Sequence, residues 1–443
     1  MKETAVSKLS NPVSRRSLIK TAAAAAIGAA SFPTVVPARA LGRGGHTAPS
    51  NRIVLGHIGV GGQGTQHVVG GPWTQKGGMT GRDDVQVVAI CDVNQGRRDN
   101  ARHLVNDRYG NSDCAVYNDF RDLLARKDVD AVLIATGERW HPLISMAAAR
   151  AGKDIYCEKP TSVTIAEAQA LRQTVRDYGI VFQQGTQQRS SYSFRFACEL
   201  VLNGYIGQLK EVVVGVAGGP TYKQCTLPSQ PVPSYLDYDM WLGPAPWRPY
   251  NADMVGGWMA YRDFSGGEMT NWGAHHWDMA QWGSGNQLSG PTLIVPPNGK
   301  DVKVLTYHFK NGVTYTRDPD RTARESPDGN GVLFVGTKGK VAVWRYDLKT
   351  WPENLKQVKI GPNEIHLHSA ENHHTDWLNA IRTRSRPGAD IAISARSITI
   401  SHLGNIAYEL GRPVHWNPDT ETFVNDPDAD RLFARSMRSP WHL

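Results

Sequence analysis

Past the first fifty residues, four short apolar runs punctuate the chain: Ile53 to Ile58, Val85 to Cys91, Ala131 to Ala135 and Ile155 to Cys157. Each is too short for a buried helix and too continuous for a half-exposed strand, so they predict buried strands of a parallel sheet. The segments between them carry helix signals. Pro142 suits the first turn of one helix and Gly152 its end, while Thr164 and Glu167 form a capping box for another that stops at Gly179. Within that second helix Ile165, Ala168, Leu171 and Val175 share one face.

After about residue 180 the rhythm changes. Glu211 to Val216, Val302 to Phe309, Val313 to Arg317 and Val332 to Tyr346 read as strands, with hairpins at Lys310-Asn311-Gly312 and Thr337-Lys338-Gly339. Helices are expected near 190–203, 271–282 and 370–382. Two domains follow: an α/β domain over 51–180 and, over 181–443, an α+β domain with a large, mainly antiparallel open sheet covered by helices on one side. The other face would suit a second copy, so a homo-oligomer, dimer or tetramer, is expected. At 443 residues, 40% hydrophobic, the chain is long enough for two cores.

The formal charge of +8 suggests an acidic partner until its location is considered. Six basic side chains and one acidic lie in the first 40 residues, leaving 43 and 40 scattered over the rest. That balance gives no basic face for nucleic acid. The N-terminus reads Ser14-Arg15-Arg16-Ser17-Leu18-Ile19-Lys20, then a weakly apolar Ala/Gly stretch to Val36, then Ala38-Arg39-Ala40. It resembles a twin-arginine export signal over residues 1–40, with a linker at 41–50. An amphipathic helix or a membrane anchor is the alternative, but about 16 apolar residues interrupted by Pro33 fall short of the roughly 20 a span needs. A periplasmic or secreted protein, off the membrane once the signal is removed, is expected. Five cysteines, at 91, 114, 157, 198 and 225, are odd in number and form no C-x-x-C, which argues against a disulfide framework and a catalytic thiol.

Candidate chemistry clusters at the ends of the predicted parallel strands. Gly59-Val60-Gly61-Gly62-Gln63-Gly64 directly follows the first, the context in which a G-x-G-x-x-G turn lets backbone approach a pyrophosphate at a helix N-terminus. This makes the first domain a candidate Rossmann domain. Asp92 ends the second strand and would take the adenosine ribose hydroxyls, favouring NAD, or else caps the next helix; Arg97 and Arg98 nearby keep NADP open. Thr136 and His141 fall at the same carboxyl edge, where ligands bind in open α/β sheets, although His141 could simply start a helix. Glu158-Lys159-Pro160 ends the last run. The proline holds the backbone away from helix, and a lysine desolvated beside a nicotinamide would have a lowered pKa; the bland reading is a surface turn.

In the second domain, Asn271, His275 and Asp278 share a helix face, as a general base with an orienting partner would require. A metal site drawing on His366, His368, His373 or His374 is the competing idea, without a recognised ligand motif, so no metal is expected. Six of the thirteen tryptophans lie between Trp241 and Trp282, near Arg248, Tyr250 and Tyr261. Aromatic faces of this kind can cover a sugar ring, though some must be core.

From Ile53 through Gly185-Thr-Gln-Gln-Arg189 to His402-Leu-Gly-Asn-Ile-Ala-Tyr408, the chain resembles the glucose-fructose oxidoreductase, inositol dehydrogenase and MocA-like (Gfo/Idh/MocA) family. The resemblance implies hydride transfer between a sugar carbon and a nicotinamide, with proton transfer by Lys159 and His275. The nucleotide would be held by Gly59, Gly61, Gly62, Gly64, Asp92, Thr136, His141, Glu158 and Lys159. Arg189, Trp241, Tyr250, Trp272, His276 and Asp278 are expected on the substrate side. Family members commonly carry an aspartate where this chain has Asn271, which leaves the sharing of protons between Lys159 and His275 open. Folded export would oblige the protein to carry its NAD or NADP tightly bound. The function expected is therefore a sugar oxidoreductase. The alternatives are a glycosidase or epimerase working by transient oxidation and re-reduction, and a carbohydrate-binding protein without turnover.

Overall fold

The structure is a computed structural model that describes residues 47–443 except 73, 75, 217–221, 224 and 327–328. The export motif, its cleavage site and the start of the linker lie outside the described residues. Residues Ile53–Leu443 form one compact unit.

Six parallel strands make the first sheet: β1 (Ile53–Ile58), β2 (Val85–Cys91), β3 (Ala115–Tyr117), β4 (Ala131–Ile134), β5 (Asp154–Cys157) and β6 (Phe182–Gln184), in the order β3-β2-β1-β4-β5-β6. The order reverses between β1 and β4, so the carboxyl ends of these strands open a crevice at a switch point. Every residue of β4 and β5 is buried; β4 is apolar throughout, and β5 is apolar after Asp154, whose carboxylate accepts from Val181 N and pairs with Arg384. The sixth strand lies past the expected boundary at 180. Its Gln183 and Gln184 are also buried: Gln183 donates to the His373 carbonyl and Gln184 to the Thr161 hydroxyl.

The flanking helices follow their caps. Asn94 caps Gln95–Tyr109 by accepting from Arg97 N, and Thr164 caps Ile165–Asp177 by accepting from Glu167 N at 3.2 Å. The Glu167 carboxylate departs from the expected reciprocal box. It accepts from Val163 N, one residue earlier, and pairs with Arg435.

The second sheet has nine strands, β7 (Leu209–Gly215), β8 (Leu293–Val295), β9 (Thr306–His308), β10 (Thr314–Arg317), β11 (Gly331–Gly336), β12 (Lys340–Val343), β13 (Leu348–Trp351), β14 (Val414–Asn417) and β15 (Thr422–Phe423). Their order is β13-β12-β11-β7-β10-β9-β8-β14-β15, antiparallel throughout except where β7 meets β10. The expected hairpins are present as β9–β10 and β11–β12. Helices Tyr192–Leu202, Gly273–Gly283 and Ile391–Leu410 supply apolar side chains to the core against this sheet. The helix Ile391–Leu410 also packs on Ile165–Asp177 of the first domain, so it is a spine common to both. The helix His373–Thr383 adds Trp377 and Leu378 to the first domain's core. All five cysteines are free, and all but Cys225 are buried. Burial pushes the Cys91, Cys157 and Cys198 thiols far up and Cys114 up to about 11. Among the described residues no helix is long and apolar enough to cross a membrane.

Candidate active site

Two cavities meet at the carboxyl edge of the parallel sheet. Gln63, Ala135, Thr136 and Trp258 form a wall common to both. The smaller, about 330 Å³, is bounded by Gly59, Gly61, Gly62, Asp92, Arg97, Arg139 and Trp241. The larger, about 670 Å³, is bounded by Glu138, His141, Glu158, Lys159, Asn271, Trp272 and His275.

The smaller cavity has the features a dinucleotide needs. Gly59 turns with φ +85°, and a Cβ there would lie 2.7 Å from the Ala135 carbonyl group; one at Gly64 would lie 2.0 Å from the Gly59 oxygen. These two glycines let the chain turn and pack, whereas a Cβ at Gly62 would meet nothing within 4 Å. The helix Gly62–Val69 begins here, so its free N–H groups face an anion-sized space. The Asp92 carboxylate accepts from Val60 N and Asn94 N, each at 2.8 Å. It therefore pins the glycine turn while bordering the cavity, and the next helix is capped by Asn94 instead. Burial raises the Asp92 carboxyl above its ordinary value, against those two backbone donors.

In the larger cavity the Lys159 ammonium donates to Asn271 Oδ1 at 2.6 Å, and Asn271 Nδ2 in turn faces the Glu268 carboxylate at 3.2 Å. Dehydration lowers the lysine's pKa, opposed by the charges of Glu158 and Glu138 and aided by Arg345. An amide partner orients the amine without neutralising it. His275 is buried at the cavity wall with no hydrogen-bond partner for Nδ1 among the described residues. Burial, then the positive charges of Lys159 and Arg345, holds its pKa well below the usual imidazole value, so it is neutral.

Behind Lys159, a buried polar chain fixes the end of β5. Glu158 Oε1 meets His67 Nε2 at 2.9 Å, and His67 Nδ1 meets His374 Nε2 at 2.9 Å. Because His67 belongs to the helix that follows the glycine turn, this contact ties the nucleotide crevice to the lysine strand. Burial would raise the Glu158 carboxyl, but His67 and Lys159 bring it below its ordinary value. Both ring nitrogens of His141 face main-chain oxygens, Pro160 at 2.6 Å and Thr136 at 3.0 Å. It borders the cavity as a brace between two turns, not as a free ligand.

Two profile models match nearly the whole described chain: an oxidoreductase-family NAD-binding Rossmann fold over residues 53–186, and that family's C-terminal alpha/beta domain over 193–443. The chain belongs to the Gfo/Idh/MocA oxidoreductase family. Its Rossmann half is an NAD-binding domain. Among curated Gfo/Idh/MocA-like relatives, it is 28% identical to the uncharacterized oxidoreductase YrbE of Bacillus subtilis over 236 residues, 51% of this chain and 59% of that one. It is 26% identical to a myo-inositol 2-dehydrogenase of Thermotoga maritima, over 58% of this chain and 68% of that one. A glycosyl hydrolase family 109 protein of Saccharopolyspora erythraea is 33% identical over 37% of each chain. The aldose-aldose oxidoreductase of Caulobacter crescentus shares the fold, with a TM-score of 0.55 at 17% identity over 82% of this chain and 99% of that one.

Within this Gfo/Idh/MocA fold several expected substrate residues lie elsewhere. Arg189 and Asp278 pair with each other through two contacts of 2.7 Å, both buried and outside either cavity. His276 Nδ1 donates to the Gly215 carbonyl at 2.6 Å and so ties its helix to β7. Trp241 lines the nucleotide crevice rather than the larger cavity, and Tyr250 packs edge-on against Tyr238 within an aromatic cluster. Trp272 does border the larger cavity, under the Arg345 guanidinium. Not anticipated was Glu138, whose buried carboxylate accepts from Ser265 Oγ at 2.9 Å and Gly266 N at 3.1 Å. Burial pushes it up to about 7. It anchors the turn that leads into Asn271, and only its place just after β4 hinted at this. Among the described residues no group of three His, Cys, Asp or Glu side chains could hold a metal ion.

Proposed function

We propose that the protein transfers hydride between a hydroxyl-bearing carbon of a sugar or sugar derivative and a nicotinamide dinucleotide, with Lys159 and His275 handling the proton. One observation carries this reading: Lys159, Asn271 and His275 border a single cavity that shares a wall with the glycine-turn crevice. The diphosphate would lie on Gly61 and Gly62 and the adenosine ribose near Asp92. When bound, the nicotinamide supplies the hydride acceptor or donor.

The chain's own groups then do the rest. The Lys159 Nζ, oriented by Asn271 and depressed in pKa, accepts the hydroxyl proton in its neutral form and returns it in the reverse direction. His275, held neutral, offers a second site to the same hydroxyl. Trp272 and Trp258 give apolar surface for the C–H face of a ring. The inositol dehydrogenase relative supports a polyol or sugar substrate. The Ser14-Arg15-Arg16 segment supports folded export with the nucleotide aboard, and hence reoxidation on the enzyme.

A second reading, cleavage of a glycoside through transient oxidation, elimination and re-reduction, is favoured by the glycosyl hydrolase family 109 relative. Mass spectrometry of the supernatant from denatured protein tests the cofactor, and a sugar screen for nicotinamide absorbance tests the reaction. Free aglycone released without added NAD would favour cleavage; a keto-sugar or lactone would favour oxidation. A chain that carries no nucleotide and turns over no sugar would leave a carbohydrate-binding protein.

A further inference from the structure

Arg139 is a cation buried without an anion. It is 2% exposed, and among the described residues its hydrogen-bond partners are main-chain oxygens, not carboxylates. Its Nε and Nη2 donate to the main-chain oxygens of Trp241 and Leu242, while the guanidinium packs against the contacting rings of Trp241, 4.2 Å from the centroid, and Phe264, 4.9 Å. Nη1 is left with no partner among the described residues. A Cβ built on Gly137 would lie 2.6 Å from it, so Nη1 is packed against Gly137, and both Gly137 and Arg139 border the glycine-turn crevice. The nearest acid in sequence, Glu138, is already engaged by Ser265, Gly266 and Thr270. A guanidinium dehydrated in this way is costly unless something negative completes it. Burial accordingly drags its pKa down to about 9.

The residues that orient Arg139 come from a segment strapped onto the rim of the Rossmann domain. Gln95 N donates to Tyr235 O at 2.8 Å, Asp237 N to Val93 O at 3.0 Å, Asn118 Nδ2 to Asp237 Oδ2 at 2.7 Å and Trp140 Nε1 to Met240 O at 2.9 Å. From this strap Met240, Trp241, Val255, Gly256 and Trp258 close over the crevice.

We propose that Arg139 supplies the buried positive charge for the cofactor's diphosphate, and that the strap from Tyr235 to Phe264 closing over it makes the nucleotide a resident of the protein. The inference rests on the nicotinamide reading but goes beyond it, since the glycine turn alone would serve an exchanging cofactor equally well.

The test uses the full chain and the variants Arg139→Met, Arg139→Lys and Trp258→Ala. Nucleotide per chain is measured after desalting and denaturation, and nucleotide-depleted protein is titrated with ADP-ribose and with adenosine. Arg139→Met should bind ADP-ribose at least tenfold more weakly and adenosine within twofold of the parent, with Arg139→Lys between. Trp258→Ala, a change at a half-buried wall, should release bound nucleotide at least fivefold faster. Equal losses for both probes in Arg139→Met would mean that the arginine only props the pocket, and unchanged ADP-ribose binding would likewise overturn the assignment. If Arg139→Met does not fold, Arg139→Lys with parental ADP-ribose affinity and Trp258→Ala with parental release together overturn it. A parent chain that binds neither nucleotide nor ADP-ribose would overturn the oxidoreductase reading as well, which separates the two failures.

Discussion

Two cations reach from the Rossmann side to the same stretch of the second domain, seven residues apart, and they meet opposite fates. Arg189 finds Asp278, and both charges vanish into a closed, fully buried pair. Lys159 finds Asn271, an amide, and remains at a cavity wall with a depressed pKa. The pair with complete charge compensation fixes the docking of helix Gly273–Gly283. The pair without it leaves an amine of lowered pKa at the cavity wall. Where compensation is incomplete, the fold carries a desolvation cost, which for Lys159 is offset in part by the charges of Glu158 and Glu138.

The contrast breaks first at the lysine. Lys159→Ala should lower turnover by about 10²–10⁴-fold, the usual contribution of a general acid–base group, while nucleotide content and the unfolding midpoint stay near those of the parent. Asp278→Ala should do the reverse. Stranding the Arg189 guanidinium would cost about 3–5 kcal/mol of stability, read as a lowered denaturant midpoint.

Converting one partner into the other's type sharpens the comparison. Asn271→Asp places a carboxylate against the lysine, which favours its charged form. With the neutral amine as the proposed base, the rising limb of the pH–rate profile should move to higher pH by about one to three units. A limb that stays in place would remove Lys159 from the proton step.

The smallest effect concerns His57, a buried base with neither kind of partner, both of whose ring nitrogens are unbonded among the described residues. Burial, then His67, pulls its pKa to about 3, whereas an unfolded histidine titrates near 6.5. Between those values the unfolded chain binds a proton that the native one does not, so stability falls as pH drops below about 6.5, by about 1.4 kcal/mol per unit. His57→Leu should flatten the pH dependence of unfolding in that window by that slope.

Much of the first domain was legible because β1, β2, β4 and β5 are largely buried and mostly apolar, with His57, Gln86 and Asp154 as the polar interruptions. β3 and β6 were not, having three residues each, and in β6 two glutamines occupy buried positions. Glycine turn, Asp92, Lys159 and His275 could be placed from strand ends and helical spacing. The fates of Arg189, Asp278 and Arg139 could not. Whether a buried arginine meets an acid 89 positions away or two main-chain oxygens about a hundred away is decided by packing, and composition is silent on it. The tryptophan-rich stretch was hard to place for the same reason: aromatic density marks burial, and Trp241 borders the glycine-turn crevice while Tyr250 packs in the aromatic cluster beside it.

The distribution of sulfur has a practical corollary. Four thiols are sequestered and held in their protonated form, leaving half-buried Cys225 as the accessible thiol among the described residues, 3.3 Å from the Met254 sulfur. Met254 lies in the aromatic cluster over the crevice. A maleimide dye should therefore label this chain at one address without any engineered cysteine.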